Sequence, residues 1–173
     1  MAIVTGTLTV NTAFLREIKD DNQHLQELLA TLHELTGNPS AACNQSQRIV
    51  ELLGELRDQL AFHFALEEAY GYFDDAIDAA PRVAERADQL RAEHAILYES
   101  ACNIAESAQE WHMQRVFHHN SSGDVRGNGT ARAPSFRRIL IQFQQFRDQL
   151  AQHEQNENSL ILEALDTDIG GEG

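Results

Sequence analysis

Four histidines and two glutamates occupy positions where the helical spacing of this sequence calls for apolar side chains: His24, His63, Glu67, His94, His153 and Glu157. In three segments apolar residues recur three or four positions apart, and the polar residues replace members of that series. A carboxylate buried between helices costs several kcal/mol unless it is paired, protonated or bound to a metal. Two of the segments contain His-x-x-x-Glu, which makes coincidence a poor explanation. The six residues therefore predict a metal site between helices.

The His-x-x-x-Glu spacing explains how each helix would contribute to such a site. Residues four positions apart lie on one face of an α-helix, so His63 with Glu67, and His153 with Glu157, would each offer an imidazole and a carboxylate to the same interior volume. Imidazole suits iron, zinc and copper, and a carboxylate can bridge two ions. Six ligands exceed the four of a structural zinc site and favour a dinuclear centre. The ferritin-like arrangement needs Glu-x-x-His on two helices, and this chain has no such motif.

The elements that must position these residues are predicted to be four long amphipathic helices. Caps, prolines and apolar spacing favour an all-α, up-down-up-down four-helix bundle in a single domain over residues 1–173. The predicted helices cover about residues 12–36, 44–80, 82–117 and 135–165, with a flexible Gly/Ser/Asn-rich loop over 119–134. Glu67 and His94 lie about 13 residues on either side of the turn near Pro81, so we expect them at the same depth.

Composition limits the classes of function that this chain can have. The chain of 173 residues carries a formal net charge of −14 with histidine neutral, which argues against binding nucleic acid or an anionic membrane. The N-terminal residues lack the pattern of a secretory signal, and no stretch approaches the roughly 20 apolar residues that span a bilayer. Two cysteines are too few for a disulfide framework, so we expect a cytoplasmic protein with free thiols.

The order of the motifs resembles that of the hemerythrin-like (HHE cation-binding) family over roughly residues 14–165. The segments that carry the resemblance are Asp20–His24, His63–Glu68, Ala92–Leu97 and Gln152–Glu157. The resemblance implies a non-haem centre of two iron ions with an oxo or hydroxo bridge, for which zinc or manganese could substitute. It also implies that Glu67 and Glu157 bridge the ions and that the four histidines are terminal ligands.

One position departs from the oxygen-carrying hemerythrins, which have His-x-x-x-His on the third helix. Here Tyr98 stands four residues after His94, and the four-His, two-Glu set is similar to the di-iron domain of proteins that repair iron centres. Tyr98 could coordinate a metal, hydrogen-bond an incoming ligand beside the pocket, or pack as a structural residue. We favour the last two roles over coordination, because a tyrosine at the edge of an apolar series is commonly structural. Glu68 and Glu154, one residue from ligand positions, are expected to face solvent or to contact the ligands, and Glu68 rivals Glu67 as a ligand.

The function that the resemblance implies is the binding or reaction of O2, NO or peroxide, in gas handling, sensing or redox protection. Two alternatives are iron storage or donation for iron-centre repair, and a peroxide- or NO-consuming oxidoreductase with Tyr98 as a relay. The sequence does not identify an electron donor.

Overall fold

Four long helices and three short elements make up the described part of the chain. A computed structural model describes the backbone of residues 12–69, 71, 73–120 and 135–170, and the side chains of residues 22–38, 41–69, 71, 73–117 and 135–164. The elements in chain order are α1 (Thr12–Thr36), α2 (Pro39–Asn44), α3 (Ser46–Ala69), α4 (Asp74–Ala79), a 3₁₀ turn (Pro81–Val83), α5 (Ala84–Asn120) and α6 (Phe136–Gly170). The described residues contain no strand, so the all-α prediction is confirmed.

The long helices form a closed bundle in which α1 packs on α3, α3 on α5, α5 on α6, and α6 returns to α1. Contacts at both ends show that α5 is antiparallel to its neighbours. Ser46 approaches His112 at one end of the α3–α5 pair, and Glu67 faces His94 nearer the other. Trp111 stacks on Phe136 at the corresponding end of the α5–α6 pair. The predicted up-down-up-down bundle is therefore the observed architecture.

The prediction of one continuous helix over 44–80 is wrong, because the structure divides this segment into α3 and α4. α3 ends at Ala69, and Gly71 adopts a φ of 61°, a left-handed conformation that glycine accepts without a Cβ clash. The amide of Gly71 approaches the carbonyl of Glu68 at 3.4 Å, as at a helix C-terminus closed by glycine. After the break, α4 packs against α6, and Phe73 and Ala76 are buried.

The other helix boundaries agree with the sequence to within a few residues. α1 coincides with its prediction, α5 begins after a 3₁₀ turn at Pro81, and α6 runs five residues beyond the predicted end near residue 165. The loop predicted over 119–134 lies outside the residues whose side chains are described, and most of its backbone is undescribed as well. No described helix combines the length and the apolar composition needed to cross a membrane.

The apolar core formed by the described residues consists of two clusters, one towards each end of the bundle. The larger includes Leu60, Leu97 and Leu150, and the smaller includes Leu90 and Leu160. On α5 and α6, the predicted metal ligands fall between the members of the two clusters. The metal-ligand candidates therefore form a polar layer that divides the core.

Candidate metal centre

Three helices bring five of the six predicted ligands into this polar layer. α3 supplies His63 and Glu67, α5 supplies His94, and α6 supplies His153 and Glu157. All five are buried, with relative exposures of 5% for His63, 6% for Glu67, 3% for His94, 2% for His153 and 4% for Glu157. The exclusion of water from five ionisable side chains requires that they satisfy one another or share a ligand.

The distances within the layer join the residues into one group. Nε2 of His63 lies 3.1 Å from Oε1 of Glu67, and Nε2 of His153 lies 3.1 Å from Oε1 of Glu157. Nε2 of His94 stands between the carboxylates, 3.5 Å from Oε2 of Glu67 and 3.4 Å from Oε1 of Glu157. Glu67 and His94 therefore lie at the same depth, as predicted.

Each carboxylate faces two imidazoles that come from different helices. Glu67 directs Oε1 at His63 and Oε2 at His94, so its two oxygens face the imidazoles of two helices. Glu157 directs the same oxygen, Oε1, at His94 and His153. This arrangement lets the two carboxylates connect nitrogen donors on α3, α5 and α6.

The donor set fits a metal ion in both chemistry and spacing. Two ligand atoms at about 2.1 Å from one ion lie roughly 3.0–3.4 Å apart in octahedral or tetrahedral geometry. The distances of 3.1 and 3.4 Å from Glu157 to His153 and His94 agree with this spacing, and ligand atoms of the three residues all lie within 4.8 Å of one another. Imidazole nitrogen with carboxylate oxygen suits iron, zinc or manganese.

Two buried atoms in the layer lack a hydrogen-bond partner among the described residues. They are Oε2 of Glu67 and Nε2 of His153. The close approach of His153 to Glu157 is thus a contact without hydrogen-bond alignment. Buried polar atoms without partners are rare in native proteins, and metal binding in the layer is one way to satisfy such atoms.

The outer nitrogens of two imidazoles contact carboxylates outside the layer. Nδ1 of His153 lies 2.8 Å from Oε2 of Glu93 on α5, and Nδ1 of His94 lies 3.4 Å from Oε1 of Glu68 on α3. Such contacts hold a metal-binding imidazole in one orientation and make its other nitrogen a better donor. Glu68 therefore contacts the outer nitrogen of His94, which is one of the roles predicted for it. Glu67, and not Glu68, lies in the polar layer.

The contact of Glu93 with His153 is a feature that the sequence analysis missed. Glu93 directly precedes His94, so its place on α5 is visible in the sequence. Its partner, His153, is on α6. The length of the loop between α5 and α6 does not reveal which residues of the two helices lie side by side. No sequence signal could have paired the two.

An aromatic ring closes the layer on the side of the larger apolar cluster. The ring of Phe64 stacks on His94 with centroids 4.1 Å apart and meets His153 edge-on at 6.0 Å. Because Phe64 itself belongs to the larger cluster, it joins the polar layer to the apolar core and excludes water from the imidazoles.

The surroundings shift the pKa values of two of the predicted ligands in opposite directions. Burial alone would lower the pKa of His153, but the facing carboxylates of Glu157 and Glu93 raise it above its usual value. Burial would likewise raise the pKa of Glu157, but the facing imidazoles of His153 and His94 bring it below its usual value. Glu157 is therefore a carboxylate at neutral pH.

Glu154 lies at the boundary between α1 and α6. Nε2 of Gln26 donates to its two oxygens at 3.1 and 3.2 Å. Burial raises the pKa of Glu154, and the charge of His63 and the Gln26 hydrogen bond oppose that shift. Glu154 is thus partly buried, and its described hydrogen bonds are to Gln26 on α1 and not to a predicted ligand.

The structure does not bring His24 and Tyr98 into this group of contacts. His24 is exposed on α1, beside the buried Leu25. Tyr98 is 38% exposed, and its hydroxyl interacts with Cys102, which raises the Tyr98 pKa. A ligand role for His24 and a place beside the pocket for Tyr98 remain predictions, and the position of Tyr98 favours its structural alternative.

Comparison with known proteins adds one positive finding. The model of the family described as "Hemerythrin HHE cation binding domain" matches residues 13–165. No curated protein and no solved structure gives a significant match. The matched range contains every residue of the polar layer and covers most of the chain. The chain therefore belongs to the hemerythrin HHE cation-binding family.

Proposed function

We propose that this protein holds two iron ions in its polar layer and that the centre binds, or reacts with, O2, NO or peroxide. The observation that carries the proposal is the arrangement of the two buried carboxylates. Glu67 serves imidazoles on α3 and α5 with separate oxygens, and Glu157 joins imidazoles on α5 and α6. A carboxylate whose two oxygens face different imidazoles, as those of Glu67 do, is suited to bridge two ions.

Iron is proposed over zinc because the donor set mixes imidazole with carboxylate and offers more residues than a four-coordinate structural site needs. Bound iron would supply redox chemistry and coordination positions for a small ligand. The protein side chains supply the rest. Phe64 and the two apolar clusters exclude water, and Glu68 and Glu93 orient imidazoles.

The test is the response of the reduced, iron-loaded protein to each ligand. Protein loaded with Fe(II) without oxygen is mixed separately with O2, NO and peroxide, and its visible spectrum is followed. We expect a new absorption band with at least one of the three. The Glu157→Ala variant should lack the band, and Glu110→Ala, which removes an exposed carboxylate from α5, should retain it. A protein that keeps two irons and responds to none of the ligands contradicts the proposal.

Iron donation is a second candidate, which the exposure of His24 favours. An ion held near His63 and Glu67 would have fewer buried protein ligands than one held by His94, His153 and Glu157. Under reducing conditions a chelator should then remove one iron much faster than the other. Loss of both irons at a single rate speaks against donation from an unequal pair.

A cytoplasmic location and the lack of nucleic-acid and membrane partners remain expectations from charge and composition.

A further inference from the structure

The contact between Glu93 and His153 connects the buried layer to the protein surface. His153 has a side-chain exposure of 2%, whereas that of Glu93 is 45%. Their 2.8 Å contact is shorter than the 3.4 Å contact between Glu68 and His94. A single side chain thus reaches from solvent to the outer nitrogen of a buried imidazole.

Glu93 and His153 both line a groove between α5 and α6. The groove has a volume of about 290 Å³ and also contains Ile96 and Gln149. Those two residues are shared with a neighbouring groove of about 670 Å³, which includes Glu99 and Asp148. On this side of the polar layer, the surface of α5 and α6 therefore contains a continuous groove that carries carboxylates.

The direction of the hydrogen bond decides which nitrogen of His153 is available to a metal. When Nδ1–H donates to Glu93, the neutral imidazole keeps its lone pair on Nε2. Nε2 is the atom that faces Glu157 and has no hydrogen-bond partner among the described residues. An anionic partner on Nδ1 also makes the imidazole a stronger electron donor.

We propose that Glu93 is a positioning residue that holds Nε2 of His153 towards the metal and, through its charge in the α5–α6 groove, sets the metal affinity and reduction potential of the centre. The inference rests on the proposed function, because it requires an ion bound by His153. The inference goes beyond the proposed function by assigning a role to Glu93, which is outside the ligand set. It also identifies the α5–α6 groove as the face from which a side chain influences the metal centre.

Glu99 provides the matched control for charge. It is an exposed carboxylate on α5, six residues after Glu93 or roughly 9 Å along the helix, and it lines the neighbouring groove. Glu99→Gln and Glu93→Gln change the net charge equally, but only the second removes the carboxylate that contacts His153. Coulomb interactions weaken with distance, so the two variants should differ.

The experiment compares the full-length unaltered protein with Glu93→Gln, Glu93→Ala and Glu99→Gln. Affinity for Co(II) is measured by competition with a chelator, the reduction potential is measured after iron loading, and circular dichroism checks the helix content. Glu93→Gln should bind Co(II) about tenfold more weakly than Glu99→Gln, and Glu93→Ala still more weakly, within the 10–100-fold range typical of lost outer partners. The reduction potential of Glu93→Gln should be higher than that of Glu99→Gln, because an imidazole that donates electrons more weakly to the metal favours the reduced ion.

Two results would overturn the inference while leaving the proposed function intact. One is Glu93→Gln matching the unaltered protein in affinity and potential, and the other is Glu93→Gln and Glu99→Gln showing equal changes. If the unaltered protein takes up neither Co(II) nor iron, the proposed function itself fails, and the inference fails with it. If Glu93→Ala loses helix content, Glu93→Gln alone decides, because it keeps the size and an acceptor oxygen of the native side chain.

Discussion

The buried carboxylates of Glu67 and Glu157 determine how the layer behaves with and without metal. The pKa of Glu157 lies below its usual value because the imidazoles of His153 and His94 face it, so it is ionised before any metal arrives. Metal binding there requires no proton loss from that carboxylate. Oε2 of Glu67 lacks a hydrogen-bond partner among the described residues, so metal binding would satisfy an atom that is otherwise costly to bury.

Removal of either carboxylate should therefore lower the number of metal ions bound per chain. Glu67→Ala and Glu157→Ala should each bind at least one metal ion fewer per chain, as measured by elemental analysis after iron loading. Glu110→Ala is the control, because it loses an exposed carboxylate from α5. Retention of both ions by either layer variant would contradict the bridging assignment.

His24 allows a test of the one predicted ligand that stands outside the group of contacts. If this exposed imidazole turns inward when metal binds, His24→Ala should weaken the binding of one ion by roughly 10-fold or more and leave the other unchanged. His33→Ala, which removes another exposed histidine from α1, should change neither. Stepwise metal titration followed by native mass spectrometry separates the two ions. Identical titrations for both variants would remove His24 from the ligand set.

A position in an apolar series predicts burial. That prediction is wrong for His24, which is exposed on α1, and is confirmed for the five residues of the layer on α3, α5 and α6. His63, Glu67 and His153 all illustrate this: each replaces an apolar residue, and each is buried. The outer contacts follow a different rule. The pairing of Glu93 with His153 depends on the register between α5 and α6 and on side-chain orientation, neither of which helical spacing determines.

Among the elements, the break between α3 and α4 has the clearest local cause. The apolar spacing continues to Tyr70, and the predicted helix over 44–80 ends just before Pro81. In the structure α3 ends at Ala69, and Gly71 just beyond it adopts a left-handed φ of 61°. The break lets α4 pack against α6 at that end of the bundle.

Two glycines on this part of the chain should respond oppositely to alanine. Gly71→Ala places a Cβ in a left-handed conformation and should lower the free energy of unfolding by about 1–2 kcal/mol. Gly54→Ala lies within α3, where an added Cβ meets no atom within 4 Å, and should raise it by about 0.5–1 kcal/mol. Urea denaturation of both variants measures the difference. If Gly71→Ala is as stable as the unaltered protein, its conformation is not what ends α3.

At the scale of the whole molecule, the polar layer lies between two apolar clusters and interrupts the core. The larger cluster contains the fully buried Phe143 and Phe146, and the smaller contains Phe73. Burial of such a side chain stabilises the fold by roughly 1.5–3 kcal/mol. The five buried residues between the clusters make no such contribution, so without metal this layer should be the weak part of the bundle.

Metal should therefore stabilise the fold as a whole. With free metal at about 100 times its dissociation constant, binding adds about 2.7 kcal/mol, and removal should lower Tm by about 5–10 °C. Thermal unfolding followed by circular dichroism, with and without a chelator, measures the change. Glu157→Ala should show little of the difference. An unaltered protein with the same Tm in both conditions would argue against a metal within the core.

Metal content and electronic state test the central claim most directly. The protein is produced under iron-replete conditions, purified without oxygen, and examined by elemental analysis and Mössbauer spectroscopy. A layer that joins donors on α3, α5 and α6 through Glu67 and Glu157 predicts two irons per chain with the spectrum of a coupled pair. One metal equivalent per chain, or zinc alone, would contradict the account.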